Sequence, residues 1–206
     1  MIKGLVVRRT VISAAAVLVV LALALPCLAA SFSGDVTLKS GPNTQVIKLY
    51  VNGDKMSRQE TSIPRKMISI LRSDKKMMLE ILPEARQYRE VRMRALPPKW
   101  NDPSIAKTLA KLATKKSMGK DTVNGYQCDK YQYTFKNKRM GVMTQWISPK
   151  LNYPIKQVNK AGGQTYSMEI RNIKEGSIPL SMFEAPKGYK KYVPKPRPAT
   201  APKPGK

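Results

Sequence analysis

Side chains that could carry out catalysis are scarce in this sequence. It contains no histidine, which removes Ser-His and Cys-His nucleophile pairs, histidine general bases and histidine metal sites. Of its two cysteines, Cys27 lies near the N-terminus and Cys128 lies in a predicted strand, where a small buried residue is the expected role. Asp121, Asp129 and Glu169 lack the spacing of a metal site. We therefore expect no enzyme, no metal and no cofactor.

Methionine is the residue type that favours ligand binding instead. Its flexible, polarizable side chain lines surfaces that must fit variable apolar shapes. The predicted strands place Met67 and Leu71 on one face, with Met77, Leu79 and Ile81 across a hairpin. The candidates for lining an apolar cavity are therefore Met67, Leu71, Met77, Leu79, Ile81, Met93 and Trp146. The alternative is an ordinary hydrophobic core that contains methionine.

A predicted helix carries the second set of candidates. Asp102 can cap its free N–H groups, Pro103 suits the first helical position, and Gly119 is the predicted end. The candidates for a lid that contacts a lipid headgroup are Trp100, the apolar stripe Ile105, Leu109 and Leu112, and the basic stripe Lys107, Lys111 and Lys115. The alternative is an amphipathic helix packed on a sheet, with a solvated basic face.

The rest of the chain is typical of β-strands joined by tight turns. Asn52-Gly53 and Asn124-Gly125 each lie between two extended runs, which is the strongest short hairpin signal because a type I′ turn needs positive φ at both central residues. Ala161–Gly163 predicts a further hairpin. So many consecutive antiparallel strands must curl or close. We expect a mainly β fold, an incomplete antiparallel β-barrel or curved sheet with one covering helix.

The N-terminus has the three parts of a secretory signal peptide. The segment Met1–Arg9 contains three basic residues and no acidic one. An apolar run spans Val11–Leu25, and small residues follow. We expect cleavage after Ala29 or Ala30 and a periplasmic location in a bacterium. An uncleaved anchor and a lipid-modified cysteine remain as alternatives.

Three segments follow from this organisation. Residues 1–30 form the predicted signal peptide, residues 31–192 one β domain, and residues 193–206 a disordered tail rich in proline and lysine. The tail either adheres to anionic surfaces or acts as a solubilising linker.

Three stretches of the second half carry a family resemblance. They are Gly119–Tyr131 with NGYQCDKY, Gln145–Lys156 with QWISPKLNYPIK, and Phe183–Tyr189 with FEAPKGY. Together they resemble uncharacterised exported domains related to the LolA/LolB lipoprotein-carrier superfamily, over roughly residues 33 to 192. The resemblance implies a LolA-like incomplete barrel, a helical segment across its open side, and a concave face that takes acyl chains. No residue that holds the lid of those carriers is assigned here.

The charge of the chain sets the expected partners. It carries 38 Lys and Arg against 13 Asp and Glu, a formal net charge of +25, which favours anionic surfaces. The leading hypothesis is a monomeric periplasmic module that binds or carries lipid or lipoprotein acyl chains and can meet an anionic membrane surface, with no nucleic acid partner. The alternative is a scaffold that binds polyanions or the envelope surface through its basic surface and tail.

Overall fold

The protein is described from a computed structural model, which covers residues 30–53, 55–62, 64–97 and 102–193. The predicted signal peptide up to Ala29, the lid candidate Trp100 and all of the predicted tail except Val193 lie outside the described residues.

One twelve-stranded sheet dominates the described residues, and a single α-helix accompanies it. The helix α1 spans Pro103–Leu112. The strands are β1 Phe32–Ser40, β2 Asn43–Asn52, β3 Met56–Thr61, β4 Met67–Arg72, β5 Met77–Leu82, β6 Gln87–Arg92, β7 Ala113–Val123, β8 Tyr126–Phe135, β9 Val142–Ser148, β10 Tyr153–Ala161, β11 Gln164–Glu175 and β12 Lys190–Lys191.

The sheet is curved and open rather than closed into a barrel. Its spatial order is β12-β6-β5-β4-β3-β2-β1-β11-β10-β9-β8-β7, so two runs of consecutive hairpins meet where β1 pairs with β11. All neighbours are antiparallel except β12, which runs parallel to β6. The predicted mainly β, incomplete-barrel fold is therefore confirmed.

The hairpin turns follow the predicted turn chemistry in most places. Asn124 and Gly125 both have positive φ, 49° and 82°, as a type I′ turn requires. At the first Asn-Gly only Gly53 lies in the left-handed region, with φ 56°, because Asn52 is still paired with Met56 as the last residue of β2. The first turn is thus one residue longer than predicted and lies beyond the asparagine.

The helix begins where the sequence predicted and ends earlier. The Asp102 carboxylate accepts a hydrogen bond from the Ser104 N–H at 2.7 Å, and Pro103 occupies the first turn. The prediction of an end at Gly119 is wrong, because residues from Ala113 onward pair with β8 instead. Gly119 lies at a β-bulge in β7, with φ 78°, and its lack of a side chain suits that bulge.

Two hydrophobic cores lie along the sheet. The first gathers the starts of β1 and β8 with the turn before β10, and its buried members are Phe32, Leu49, Val51, Val123, Cys128, Trp146, Leu151, Ile155 and Ile170. The second lies on β4 and β5, with Ile68, Ile70, Leu79, Ile81 and Phe183. Phe183 belongs to a segment that follows β11, which we call the C-terminal strap (Gly176–Val193).

Two arginines hold the strap to the sheet. Arg58 Nη1 donates to the Met182 carbonyl oxygen at 2.8 Å, and Arg72 Nη1 donates to the Phe183 carbonyl oxygen at 3.2 Å. The Phe183 ring between these contacts is fully buried. Two backbone hydrogen-bond acceptors and one aromatic side chain therefore fix the strap over the second core.

Among the described residues, no helix has the length and apolar character needed to cross a membrane.

Candidate ligand-binding groove

A groove runs along one face of the sheet, over the four strands β1, β2, β10 and β11. In an antiparallel pair, directly opposite residues share a face, and side chains alternate along each strand. Val36 lies opposite both Ile47 and Ile170, and Leu38 lies opposite Met168. These five apolar side chains therefore point to the same side, which we call the groove face.

The floor of the groove is an apolar cavity of about 220 Å³. Its lining is aliphatic and aromatic except for one amide, and consists of Val36, Leu38, Ile47, Leu49, Gln59, Tyr153, Met168 and Ile170. Tyr153 contacts Phe32 edge to face, with ring centroids 5.4 Å apart. Burial raises the pKa of the Tyr153 hydroxyl, so the phenol stays neutral at ordinary pH.

The mouth of the groove is larger and more polar. It has a volume of about 730 Å³, within the range of pockets that bury drug-sized ligands. Its lining is Leu38, Lys39, Ser40, Asn43, Thr44, Gln45, Pro64, Gln157, Asn159, Tyr166, Ser167 and Met168. Leu38 and Met168 line both cavities, so floor and mouth adjoin, with the more apolar cavity at the inner end.

One polar atom in the mouth has no partner. Asn159 Oδ1 is buried and accepts no hydrogen bond, although a buried carbonyl normally finds a donor. The neighbouring amide differs, because Gln157 Oε1 accepts from Gln145 Nε2 at 3.4 Å. An unpaired buried acceptor costs about 1–3 kcal/mol of stability. A hydrogen-bond donor on a ligand in the mouth would pair with this oxygen and remove that cost.

A close approach between two strands shapes the inner end of the floor. Gly34 in β1 faces Ile170, and a Cβ built on Gly34 would lie 2.7 Å from Ile170 Cγ2 and 3.1 Å from the Arg171 carbonyl oxygen. Only glycine fits at this separation without displacement of its neighbours. The missing side chain lets Ile170 pack tightly against β1 at the inner end of the groove.

The predicted cavity residues of the β4–β5 hairpin lie on two different faces. Leu79 and Ile81 lie directly opposite Ile70 and Ile68, and all four pack in the second core against Phe183. Their face is the strap face, opposite the groove. These residues occupy ordinary core positions in the described structure.

The prediction that Met67 and Leu71 share a face with Met77 is wrong. Met77 lies opposite Arg72 on the strap face, whereas Leu71 lies opposite Met78 on the other face. Side chains alternate along a strand, so Met67 and Leu71 continue the groove face beyond β2 and β3. Neither contributes to the lining of the floor or the mouth.

The two remaining cavity candidates line neither the floor nor the mouth of the groove. Trp146 is buried in the first core, between the ammonium groups of Lys130 and Lys156 at 5.0 and 5.3 Å from its ring centroid. Its Nε1 donates to Asp121 Oδ2 at 2.9 Å, and this hydrogen bond lowers the pKa of the Asp121 carboxyl, with Lys130 as the next cause. Met93 follows the end of β6, where its N–H donates to the Lys76 carbonyl oxygen.

The predicted lid residues within α1 form a helix, but this helix does not cover a hydrophobic core. No residue of α1 is buried; Ile105 and Leu109 are partly exposed and Leu112 is exposed. Lys107 and Lys111 are exposed on the helix, on the side away from this apolar stripe. The apolar stripe of the helix therefore packs in neither hydrophobic core.

Lys115 does not belong to the helical basic stripe that the sequence predicted. It lies in β7 opposite Tyr133, and its Nζ lies 3.7 Å from the Tyr131 ring centroid. Pairing with β8 and this cation–π contact favour the strand over a further helical turn.

Among the described residues, neither the cysteine nor the acidic side chains are arranged for reaction or for metal binding. Cys128 is fully buried, its thiol donates to the Tyr126 carbonyl oxygen at 3.4 Å, and burial raises the pKa of the thiol. The thiol therefore stays protonated and unreactive. Within residues 30–193 as described, no three acidic or cysteine side chains gather in a way that could hold a metal ion.

The sequence contained a signal for the groove that the methionine argument missed. Val36-Thr37-Leu38-Lys39 and Ile47-Lys48-Leu49-Tyr50 alternate apolar and polar residues with period two, which predicts strands with one apolar face. The strand β11 repeats the pattern more weakly around Met168 and Ile170.

Comparison with known structures shows which proteins share this fold. An uncharacterized conserved protein from Thermus thermophilus aligns with TM-score 0.55 and 11% identity over 81% of this chain and 91% of that chain. The MucA/MucB complex structure from Pseudomonas aeruginosa aligns with TM-score 0.56 and 15% identity over 78% of this chain and 57% of that chain. At these identities the likeness shows a common fold.

The matched structures also include a LolA superfamily protein from Nitrosomonas europaea. It aligns with TM-score 0.36 and 11% identity over 76% of this chain and 90% of that chain. No curated protein matches the sequence. The family pattern that does match covers residues 32–152, more than half of the chain, and the chain belongs to the family described as a domain of unknown function, DUF4412.

Proposed function

We propose that this protein is an exported, non-enzymatic module that binds the acyl chain of a lipid or lipoprotein in the groove. The observation that carries the proposal is that two cavities of different polarity adjoin along the groove. An apolar floor of about 220 Å³ shares Leu38 and Met168 with a more polar mouth of about 730 Å³. This order suits an amphiphile whose chain enters first and whose head remains at the mouth.

The energy of such binding comes from burial of methylene groups. Each buried CH₂ contributes about 0.8 kcal/mol, so ten methylenes give about 8 kcal/mol before the costs of association. Val36, Leu38 and Ile47 present branched aliphatic surface for this contact, and Met168 adapts to chains of different shape. No catalytic group is needed for uptake and release.

The cellular setting follows from the sequence and belongs to the same proposal. Residues 1–30 direct export to the periplasm, residues 31–192 form the binding domain, and residues 193–206 form a cationic tail. The cargo class follows from the resemblance to lipoprotein carriers, whose concave face takes acyl chains. The absence of histidine from the chain and the buried thiol of Cys128 favour binding over catalysis.

Two adjacent residues of β2 provide the test. Ile47 points into the groove and Val46 is exposed on the opposite face, and both are β-branched. We expect Ile47→Gln to weaken binding of a fluorescent fatty acid at least tenfold, because it places a polar amide against the chain. Val46→Gln should bind as the unmodified protein does, and thermal unfolding should show that both variants fold.

Salt separates this proposal from a basic scaffold that binds polyanions. Acyl-chain binding should persist at high salt, whereas binding through charge weakens steeply through counterion release. Equal affinities for the two variants, or loss of all binding at high salt, would contradict a role for the groove.

A further inference from the structure

The mouth of the groove opens at one end of the sheet, and that end has an unusual surface. The turns 41–42, 62–66, 83–86, 136–141 and 162–163 lie at that end. The helix joins them, because the Lys136 N–H donates to the Leu112 carbonyl oxygen at 2.9 Å. We call this surface the turn end.

Basic side chains dominate the turn end. Its described Lys and Arg residues are Lys39, Arg65, Lys66, Arg86, Lys107, Lys111, Lys136, Lys138, Arg139 and Lys160. The acidic residues at this end are Asp102, whose carboxylate caps the helix, Glu60, which pairs with Arg58, and Glu84. None of the basic residues forms an ion pair with a carboxylate of the described chain, whereas lysines elsewhere do, such as Lys150 with Glu175 and Lys130 with Asp121.

Apolar side chains are exposed at the same end. Leu112, Met140 and Tyr166 are 45%, 40% and 42% exposed, and all three lie in or near the turns and the helix end. Leu112 completes the apolar stripe of α1, which packs in neither hydrophobic core. Exposed apolar side chains ringed by unpaired cations mark a binding surface rather than an ordinary solvated one.

The combination of the two kinds of side chain selects the partner. Phosphate groups attract the lysines and arginines of any such surface. A nucleic acid backbone, however, has no apolar region in which exposed leucine and methionine side chains would be buried. A bilayer surface interacts favourably with both kinds of side chain, because cations contact anionic headgroups while apolar side chains enter the boundary of the acyl region. The opening of the groove on this end also places its mouth against the source of acyl chains.

We propose that the turn end docks on an anionic phospholipid surface, with Lys111, Lys138 and Arg139 at the headgroups and Leu112 and Met140 at the acyl boundary. These five docking residues line neither the floor nor the mouth of the groove, so the proposal stands whether or not the groove takes acyl chains. The tail and the net charge of the chain are alternative sources of the same attraction, and the controls must separate them.

The test measures binding of the purified full protein to phosphatidylcholine vesicles with and without phosphatidylglycerol. K138E/R139E should lower the partition coefficient on the anionic vesicles roughly 30-fold or more, because each basic residue near such a surface contributes about a factor of five. Lys120 and Lys174 are exposed towards the opposite end of the sheet, so K120E/K174E is a control with the same change in net charge and an intact tail.

A second pair of variants tests the apolar contribution. L112S/M140S should lower binding to anionic vesicles, and salt should remove the binding that remains, because only the electrostatic part is left. The control M118S/L180S changes two side chains that are also exposed, 42% and 61%, but lie elsewhere. It should bind as the unmodified protein does.

Equal losses in the turn-end and control variants would overturn the proposal, since binding would then follow net charge or total apolar exposure. No preference of the unmodified protein for anionic vesicles would overturn it as well. Binding of a fluorescent fatty acid by K138E/R139E in solution keeps the two proposals distinguishable. That binding should be retained, and Ile47→Gln should conversely keep its affinity for vesicles.

Discussion

Arg72 and Phe183, which are 111 residues apart in the sequence, are joined by a buried hydrogen bond from Arg72 Nη1 to the Phe183 carbonyl oxygen at 3.2 Å. The same guanidinium donates from Nε and Nη2 to the two carboxylate oxygens of Asp74 at 2.9 and 2.7 Å. One side chain at the end of β4 thus fixes both the following turn and the C-terminal strap. The strap thereby keeps the Phe183 ring packed in the second core.

Replacement of Arg72 by methionine should destabilise the protein by about 1–3 kcal/mol, because the buried Phe183 carbonyl oxygen loses its donor. Urea denaturation measures this change, and proteolysis of the strap should become faster. Arg171→Met removes an exposed ion pair with Glu169 and should change stability by less than about 1 kcal/mol. Equal effects of the two substitutions would show that Arg72 does not hold the strap.

The Asp74 carboxylate makes part of this stability depend on pH. The hydrogen bond from Arg72 lowers the pKa of Asp74 below 3.8. A lowered pKa in the folded state means that the stabilisation is fully present above the unfolded value and disappears as the pH falls through the folded value. Asp74→Asn should therefore be less stable than the unmodified protein at neutral pH, and the difference in urea midpoint should shrink below pH 3.8. A difference that stays constant with pH would contradict the ion pair.

Gly34→Ala should cost about 1–3 kcal/mol of stability by overpacking. The new methyl group would lie 2.7 Å from Ile170 Cγ2, so β1 and β11 must move apart at the inner end of the groove. Ser33→Ala changes the neighbouring residue on the opposite face and serves as the control in thermal unfolding. Unchanged stability of Gly34→Ala would mean that the two strands are not in close contact.

Asn159→Leu should have opposite effects on stability and on binding. Removal of the buried unpaired Oδ1 should raise the free energy of unfolding by about 1 kcal/mol. The same change should weaken binding of a hydroxylated acyl chain relative to an unsubstituted chain of equal length, because it removes an acceptor beside the mouth. A variant that is less stable and binds both chains unchanged would assign Asn159 a purely structural role.

Local signals in the sequence predicted most of the strands and turns. Met67–Arg72 and Met77–Leu82 form the predicted hairpin that contains Met67 and Met77, and Asn124-Gly125 forms the turn its residue types favour. These features depend on neighbouring residues and on the left-handed conformations that asparagine and glycine adopt. Such information is contained in short stretches of sequence.

Features that depend on long-range pairing were predicted less well. The stretch Met67-Ile68-Ser69-Ile70-Leu71 is apolar at four of five positions, so alternation could not decide which residues face the groove; the register with β5 decides it. The early end of α1 has the same cause, since pairing of β7 with β8 overrides the local preference of residues 113–118 for helix. The strap contacts of Arg58 and Arg72 join residues more than 100 positions apart and leave no local signal.

The most direct test of the acyl-binding groove is analysis of lipid that co-purifies with the protein. The protein should be exported in a bacterial host, purified without detergent, washed at high salt and extracted for mass spectrometry, beside Ile47→Gln and Val46→Gln. We predict acyl lipid in near-stoichiometric amount that resists the salt wash in the unmodified protein and Val46→Gln and is depleted in Ile47→Gln. Absence of lipid, removal of lipid by salt alone, or equal lipid in all three proteins would contradict the proposal.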